Sequence, residues 1–176
     1  MLERILLYGV VSVVTGVFIF YTRNVISPVL EIPDINLRDQ LVVITGGCSG
    51  IGKGTAQILF SVNHASLVLG CRNVTMAKEL CSSLRSQVQD ARKCFPFELD
   101  LASFDSVRHF ASDIGFIPGI QPNILVLNAG VRQSTFTKTQ DGFETHYQVN
   151  HLSHFLLVNI LLPLMLRSTH EVRIGV

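Results

Sequence analysis

The stretch TGGCSGIGK, Thr45–Lys53, follows the apolar run LVVI and opens into a helix-like run. Gly46, Gly50 and Gly52 fall in a G-x-x-x-G-x-G spacing. A loop between a strand and a helix start presents free backbone N–H groups and the positive end of a helix dipole, which suits a pyrophosphate. Glycines let the backbone turn with positive φ and let phosphates come close. A P-loop is disfavoured, because Gly54 rather than Ser or Thr follows Lys53. Further on stands GCRN, Gly70–Asn73, without the carboxylate that would accept the ribose 2′-OH of NAD. Arg72 offers a guanidinium instead, which pairs with a 2′-phosphate. The expected ligand is therefore NADP(H) in preference to NAD(H).

Other candidate chemistry is thinner. His146, Asn150 and His154 fall at i, i+4 and i+8 on one helix face, and His151 and His154 at i, i+3. A metal site is conceivable there, but no carboxylate or cysteine completes it, so these read as core or interface histidines and no metal is expected. Cys48, Cys71, Cys81 and Cys94 show no CxxC and no paired metal spacing. They read as small buried or half-buried thiols, which fits a reducing compartment.

The elements that must position these residues alternate. LVVIT (41–45), ASLVLGC (65–71), KCFPFELD (93–100) and NILVLNA (123–129) read as strands, and VRIGV (172–176) as the start of a fifth. Pro96 argues for an edge position for the third. Helices are expected over 50–63, 73–88, 103–114 and 141–166, with Ser103 as an N-cap and Pro163 bending or ending the last. This alternation implies an α/β, Rossmann-like, doubly wound parallel sheet, strands 1–4 and the start of 5. Ligands bind such sheets outside the carboxyl ends of the strands, at the switch in strand order. The glycine loop, Asp100 and Asn128–Gly130 all fall at such ends.

These residues resemble the short-chain dehydrogenase/reductase superfamily. TGGCSGIG matches its TGxxxGxG loop, LDLAS (99–103) its D-L-x-S stretch, and LNAG (127–130) is similar to NNAG with Leu127 replacing the first Asn. DGFETHYQVNHLSHFLL resembles the retinol-dehydrogenase and WW-domain-oxidoreductase branch, with Ser153 where that branch has glycine. The resemblance implies that Gly46, Ser49, Gly50, Ile51, Gly52, Arg72, Asn73, Asp100, Leu101, Asn128, Ala129 and Gly130 line the dinucleotide. It makes Asn150 the asparagine of the catalytic tetrad, which shapes the long helix and helps hold a water in the proton relay. It also implies a small alcohol or carbonyl substrate of retinol-like or lipid-like kind, and a homodimer through helix 141–166.

The family's acid–base partners are a serine and a tyrosine, with a lysine four residues after the tyrosine lowering its pKa. Here Tyr8, Tyr21 and Tyr147 are followed at that distance by Ser12, Val25 and His151. The serine motif would follow the fifth strand. Two expectations stand side by side. A continuation carrying Ser and Tyr-x-x-x-Lys would make an oxidoreductase of which this is a C-terminally truncated piece. A genuine short form would be catalytically inactive, a dinucleotide-binding or protein-interaction module.

The chain has 176 residues and a net charge of +1, so there is no basic field to suggest nucleic acid. Ile5–Thr22 is uncharged and bracketed by Arg4 and Arg23. At ~1.5 Å per residue it spans about 27 Å, close to a bilayer core of roughly 30 Å. A cleaved signal peptide would need a basic start and a small-x-small site, and neither stands out. The expected layout is a membrane anchor over 1–22, a linker over 23–39 and a partial NADP-binding domain over 40–176. Arg23 and Arg38 follow the span while Arg4 alone precedes it, which leans toward an endoplasmic-reticulum membrane protein with its domain facing the cytosol. Asn73-Val74-Thr75 is a glycosylation sequon, and a glycan there would overturn that orientation.

Overall fold

The structure, a computed structural model, describes residues 14–20 and 35–176. Residues 14–20 are helical, and no helix among the described residues is long and apolar enough to cross a membrane. Most of the expected anchor, and residues 23–34 of the expected linker, lie outside the described residues. The chain divides into Met1–Asp34 and Ile35–Val176, and the second unit holds the sheet.

Five parallel strands, β1 (Leu41–Thr45), β2 (Ser66–Cys71), β3 (Cys94–Glu98), β4 (Pro122–Val126) and β5 (Arg173–Gly175), lie in the order β3-β2-β1-β4-β5. Helices α1 (Gly50–Ser61), α2 (Val74–Ser86), α3 (Phe104–Gly115) and α4 (Ser153–Met165) connect them. β1 is buried along its whole length, as a short β-branched run covered on both faces must be. Its alternate side chains serve two cores. Val42 and Ile44 join Leu67 and Leu69 of β2 against Ala56, Phe60 and Leu84 of α1 and α2. Leu41 and Val43 join Leu125 of β4 against Phe110, Ile114, Leu157 and Leu161 of α3 and α4. The sheet is therefore doubly wound, as the alternation of elements implied.

Local chemistry explains the boundaries. Pro96 lies in β3, an edge strand, where its missing N–H costs no ladder bond to a further strand. Ser103 caps α3 by accepting from the Ser106 amide at 3.3 Å. A Cβ at Gly70 would come within 2.8 Å of Phe110 Cζ, so glycine lets α3 close on β2. Pro163 lies inside α4, which stops at Met165.

The structure departs from the sequence reading at four places. Residues 35–39 pack with the domain and not as a linker. Leu37 is buried, its amide donates to the Asn63 carbonyl at 2.7 Å, and the Asn63 amide group donates to the Ile35 carbonyl at 2.7 Å. The long helix is not one α-helix from 141. A single turn, Thr145–Tyr147, leads into a π-turn, Gln148–Leu152, and only then into α4. Asn123 interrupts the ladder between β1 and β4, where the register shifts after Leu41. Its buried side chain accepts from the Leu41 amide at 3.2 Å, standing in for the lost backbone partner.

The fourth departure concerns the cysteines. Cys81 and Cys94 form a disulfide that joins α2 to β3, with Cα atoms 5.4 Å apart; Cys48 and Cys71 are the free thiols. Closing a separation of 13 residues stabilises the fold by about 3 kcal/mol in the chain-entropy account. The pairing follows from α2 lying across β3, which sequence spacing alone does not reveal.

Candidate functional site at the carboxyl edge of the sheet

β1 and β4 are neighbours, and their connections run to opposite faces, so the strand order reverses between them. A crevice opens at the carboxyl ends of such a pair. The glycine loop enters it from β1. Gly46 and Gly50 have φ of 67° and 51°, conformations that side chains disfavour. A Cβ on Gly52 would clash with the Gly46 carbonyl and with Asn128 Nδ2. Each glycine is thus required by shape.

The loop delivers the start of α1 to the surface. Ser49 is its N-cap residue, exposed and with no side-chain cap bond. The amides of the first turn have no intrahelical acceptor. Ile51 is 84% exposed, a large apolar side chain standing at the mouth of the crevice. On the neighbouring strand end Arg72 is exposed too. The arrangement offers amide donors, a hydroxyl and a guanidinium along one edge, which is the donor set for a phosphorylated ligand.

Asn73 lies beside Arg72, but its side-chain oxygen is engaged. It accepts from the Thr75 and Met76 amides at 3.1 and 3.3 Å and caps α2. Asp100 is also partly committed: Oδ1 accepts from the Ala102 amide at 2.9 Å while its own amide donates to Ser106 Oγ at 2.9 Å. Leu101 is buried, and Ser153 of α4 donates to its carbonyl at 2.6 Å. The hydroxyl that replaces the branch's glycine therefore finds a buried partner.

On the β4 side, Asn128 Nδ2 donates to the Thr45 carbonyl at 3.0 Å, pinning the loop after β4 to the end of β1. Asn150, within the π-turn, grips the same loop. Its Oδ1 accepts from the Val131 amide at 2.8 Å and its Nδ2 donates to the Val131 carbonyl at 3.0 Å. Gly130 lies against it, where a Cβ would sit 3.5 Å from Asn150 Oδ1. π-turns recur at functional sites because they re-aim backbone carbonyls.

Sequence reasoning missed the centre of this arrangement. The Thr45 hydroxyl accepts from the Ala129 amide at 3.0 Å and lies 3.1 Å from His154 Nε2, while His154 Nδ1 lies 3.3 Å from the Asn150 carbonyl. One assignment of protons serves both ring nitrogens of His154, with the Val126 carbonyl, 3.5 Å from the Thr45 hydroxyl, as that hydroxyl's other acceptor. Nδ1–H donates to Asn150, and Nε2 accepts from Thr45. That requires neutral imidazole, and burial holds the His154 pKa below its usual value, with the charge of His151 adding to the effect. His146 holds the loop farther out, accepting from the Gln133 amide at 2.8 Å. The i, i+4, i+8 spacing was the available signal. His146 and Asn150 of that set grip the loop after β4 while His154 meets the end of β1, and no group of three metal-ligating side chains occurs among the described residues.

The short-chain dehydrogenase family model matches residues 40–174, and the chain belongs to that family. It is 39% identical to human retinol dehydrogenase 14 over 144 residues, covering 75% of this chain and 42% of that protein. It is 42% identical to human retinol dehydrogenase 12 over 130 residues, covering 73% and 40%. The chain thus spans less than half the length of these curated relatives. Among solved structures, the RhlG–NADP complex of Pseudomonas aeruginosa superposes with a TM-score of 0.65 at 28% identity, covering 79% of this chain and 53% of that one.

The buried histidine sets a pH dependence. The unfolded state, with His154 near 6.5, binds a proton that the folded state resists. Stability is therefore fully present above about 6.5 and falls as pH drops through the lowered folded value. Urea unfolding at pH 7.5 and 5.5, run on the wild type and on His154→Gln, should show a smaller acid loss in the variant. An identical loss would remove His154 from this role.

Proposed function

We propose that residues 40–176 are the NADP(H)-binding half of a membrane-anchored short-chain oxidoreductase acting on an alcohol or carbonyl of retinol-like or lipid-like kind. The observation that carries this is the exposed start of α1, whose N-cap Ser49 makes no side-chain cap bond, together with exposed Arg72 after β2, which has no ion pair among the described residues. In this reading Gly46, Ser49, Gly50, Ile51 and Gly52 take the pyrophosphate and Arg72 the 2′-phosphate. Asp100 and Leu101 take the adenine side, and Asn128, Ala129 and Gly130 the remainder of the dinucleotide. Asn73 supports them as the cap that sets the direction of α2. Asn150 is a positioning residue that fixes the loop after β4. The named relatives are retinol dehydrogenases, which supports the substrate class; the membrane setting rests on the uncharged run Ile5–Thr22 of the sequence.

Arg72→Ala should raise the dissociation constant for NADPH about tenfold or more, since a charge-assisted bond is worth about 1.5–3 kcal/mol. The loss for NADH should be slight. Titration of the full chain with both nucleotides decides it, and equal losses would take the 2′-phosphate away from Arg72.

The turnover part of the proposal concerns a protein in which a serine and a Tyr-x-x-x-Lys follow these residues. The second reading is a dinucleotide-binding or interaction module without turnover, which needs only the glycine loop and strand-end residues described above. Intact mass of the protein recovered from membranes separates them. A mass well above 19.5 kDa is the expected result, and one near 19.5 kDa would retire the enzyme in favour of the module. The same spectrum reads orientation. The domain faces the cytosol in this proposal. The Cys81–Cys94 bridge weighs the other way, and a glycan on exposed Asn73 would place the domain in the lumen.

A homodimer through residues 141–166, the segment that ends in α4, belongs to the same proposal. Phe155 and Tyr147 are 64% and 53% exposed along an apolar groove shared with Phe104 and Phe143. Such a face is covered in a stable assembly. Phe155→Asp should shift the protein to monomer in sedimentation velocity, and an unchanged dimer would move the interface elsewhere.

A further inference from the structure

The opposite end of the sheet, at the amino ends of the strands, carries two adjoining grooves. One is lined by Arg38, Arg92, Lys93 and Asp90, the other by Arg167, and both reach Asp39, Gly119 and Ile120. Together the grooves hold four fixed cations and two carboxylates. Asp90 is already neutralised. A hydrogen bond from Arg92 is the main cause that holds its carboxyl down at about 2. Lys93 and Arg167 have no ion-pair partner among the described residues. The local balance is positive, although the chain as a whole carries only +1.

The rim of this end is apolar. Val62, Phe116 and Leu166 are the residues that end α1, α3 and α4, and they are 58%, 80% and 67% exposed. Helices that end in water commonly stop on glycine or a polar residue. Here three ends in a row place a large apolar side chain outward, each within two residues of a groove-lining residue. Ile35 is half-exposed at the same end, hydrogen-bonded to Asn63 next to Val62.

An apolar rim around basic grooves is the composition of a surface that lies at a membrane interface. The apolar side chains enter the headgroup boundary and the cations hold phosphates. Helix carboxyl ends bring partial negative charge to this edge, so the cations must carry the attraction. Chain connectivity selects the occupant. The domain joins the rest of the chain at Ile35, and only residues 23–34 separate it from the apolar run expected to sit in the bilayer. Fully extended, that stretch reaches no more than about 43 Å. We propose that the amino edge of the sheet rests on the bilayer, with anionic lipid headgroups in the two grooves and Val62, Phe116 and Leu166 in the interface. The dinucleotide edge then faces away from the lipid.

The chain has no tryptophan, so a single introduced indole reports its own surroundings. Phe116→Trp and Val62→Trp place reporters at the proposed contact. Phe136→Trp, at a position 72% exposed in the loop after β4, is the reporter for the opposite edge. The full chain carrying each is reconstituted in phosphatidylcholine vesicles with brominated acyl chains, with and without phosphatidylserine. F116W and V62W should shift to the blue and lose about half their emission, while F136W stays unquenched. Quenching should deepen with phosphatidylserine and fall back when Lys93→Glu and Arg167→Glu are added. No quenching at either contact reporter would overturn the proposal. So would equal quenching at both edges, or quenching indifferent to phosphatidylserine and to charge reversal. None of these positions is assigned to the dinucleotide, so the result is independent of whether NADPH binds.

Discussion

Thr45 ends the central strand with no exposure to solvent, and its hydroxyl is shared by three elements. It belongs to β1, it accepts from the amide that follows β4, and it donates to the histidine that opens α4. A buried hydroxyl without partners would cost more than it returns, so all three elements must arrive together. The crevice, the glycine loop and the π-turn are arranged around that meeting. Asn128 and Asn150 add backbone-directed bonds on either side of it. The carboxyl edge is consequently a rigid frame whose free groups are those that face outward: the start of α1 and Arg72.

Much of this frame was legible in the residues. Short β-branched runs alternating with 3.6-period segments specify a parallel doubly wound sheet, because each strand needs cover on both faces. The glycines were legible because a turn with positive φ and a close helix–strand approach leave few other choices. Pro96 marked an edge for a similar reason. What was not legible depends on pairings between distant segments. Cys81 meets Cys94 only because α2 crosses β3. Asn123 looks like any strand-end polar residue until the shifted register shows which amide it satisfies. His154 and Thr45 lie 109 residues apart, and neither type alone announces the other. Asn73 shows the reverse case. The resemblance places it on the ligand, and its oxygen also caps the helix that follows it, a second task that its position does not announce.

The two edges of the sheet have opposite characters. At the carboxyl edge, helix starts, glycines and amides gather where an anion can be held by the backbone. At the amino edge, helix ends meet bulky apolar side chains and long cations, which suit a soft and extended partner. A parallel sheet with helices on both faces produces this polarity without further design, since all its helices point the same way. The short Arg173–Gly175 strand completes the same polarity on the far side of β4.

The π-turn has a consequence for how this region can change. In a π-turn the chain advances more than four residues per revolution, so His146, Asn150 and His154 stay in line at a spacing of four, where an α-helix would let them drift. They work as the teeth of a rack, His146 and Asn150 engaging Gln133 and Val131 of the loop after β4 and His154 engaging Thr45 at the end of β1. Substitution of one tooth leaves the other two meshed. A one-residue insertion or deletion between His146 and His154 would disengage teeth on one side of it at once. Length between those histidines is therefore constrained more tightly than the identity of the residues between the teeth.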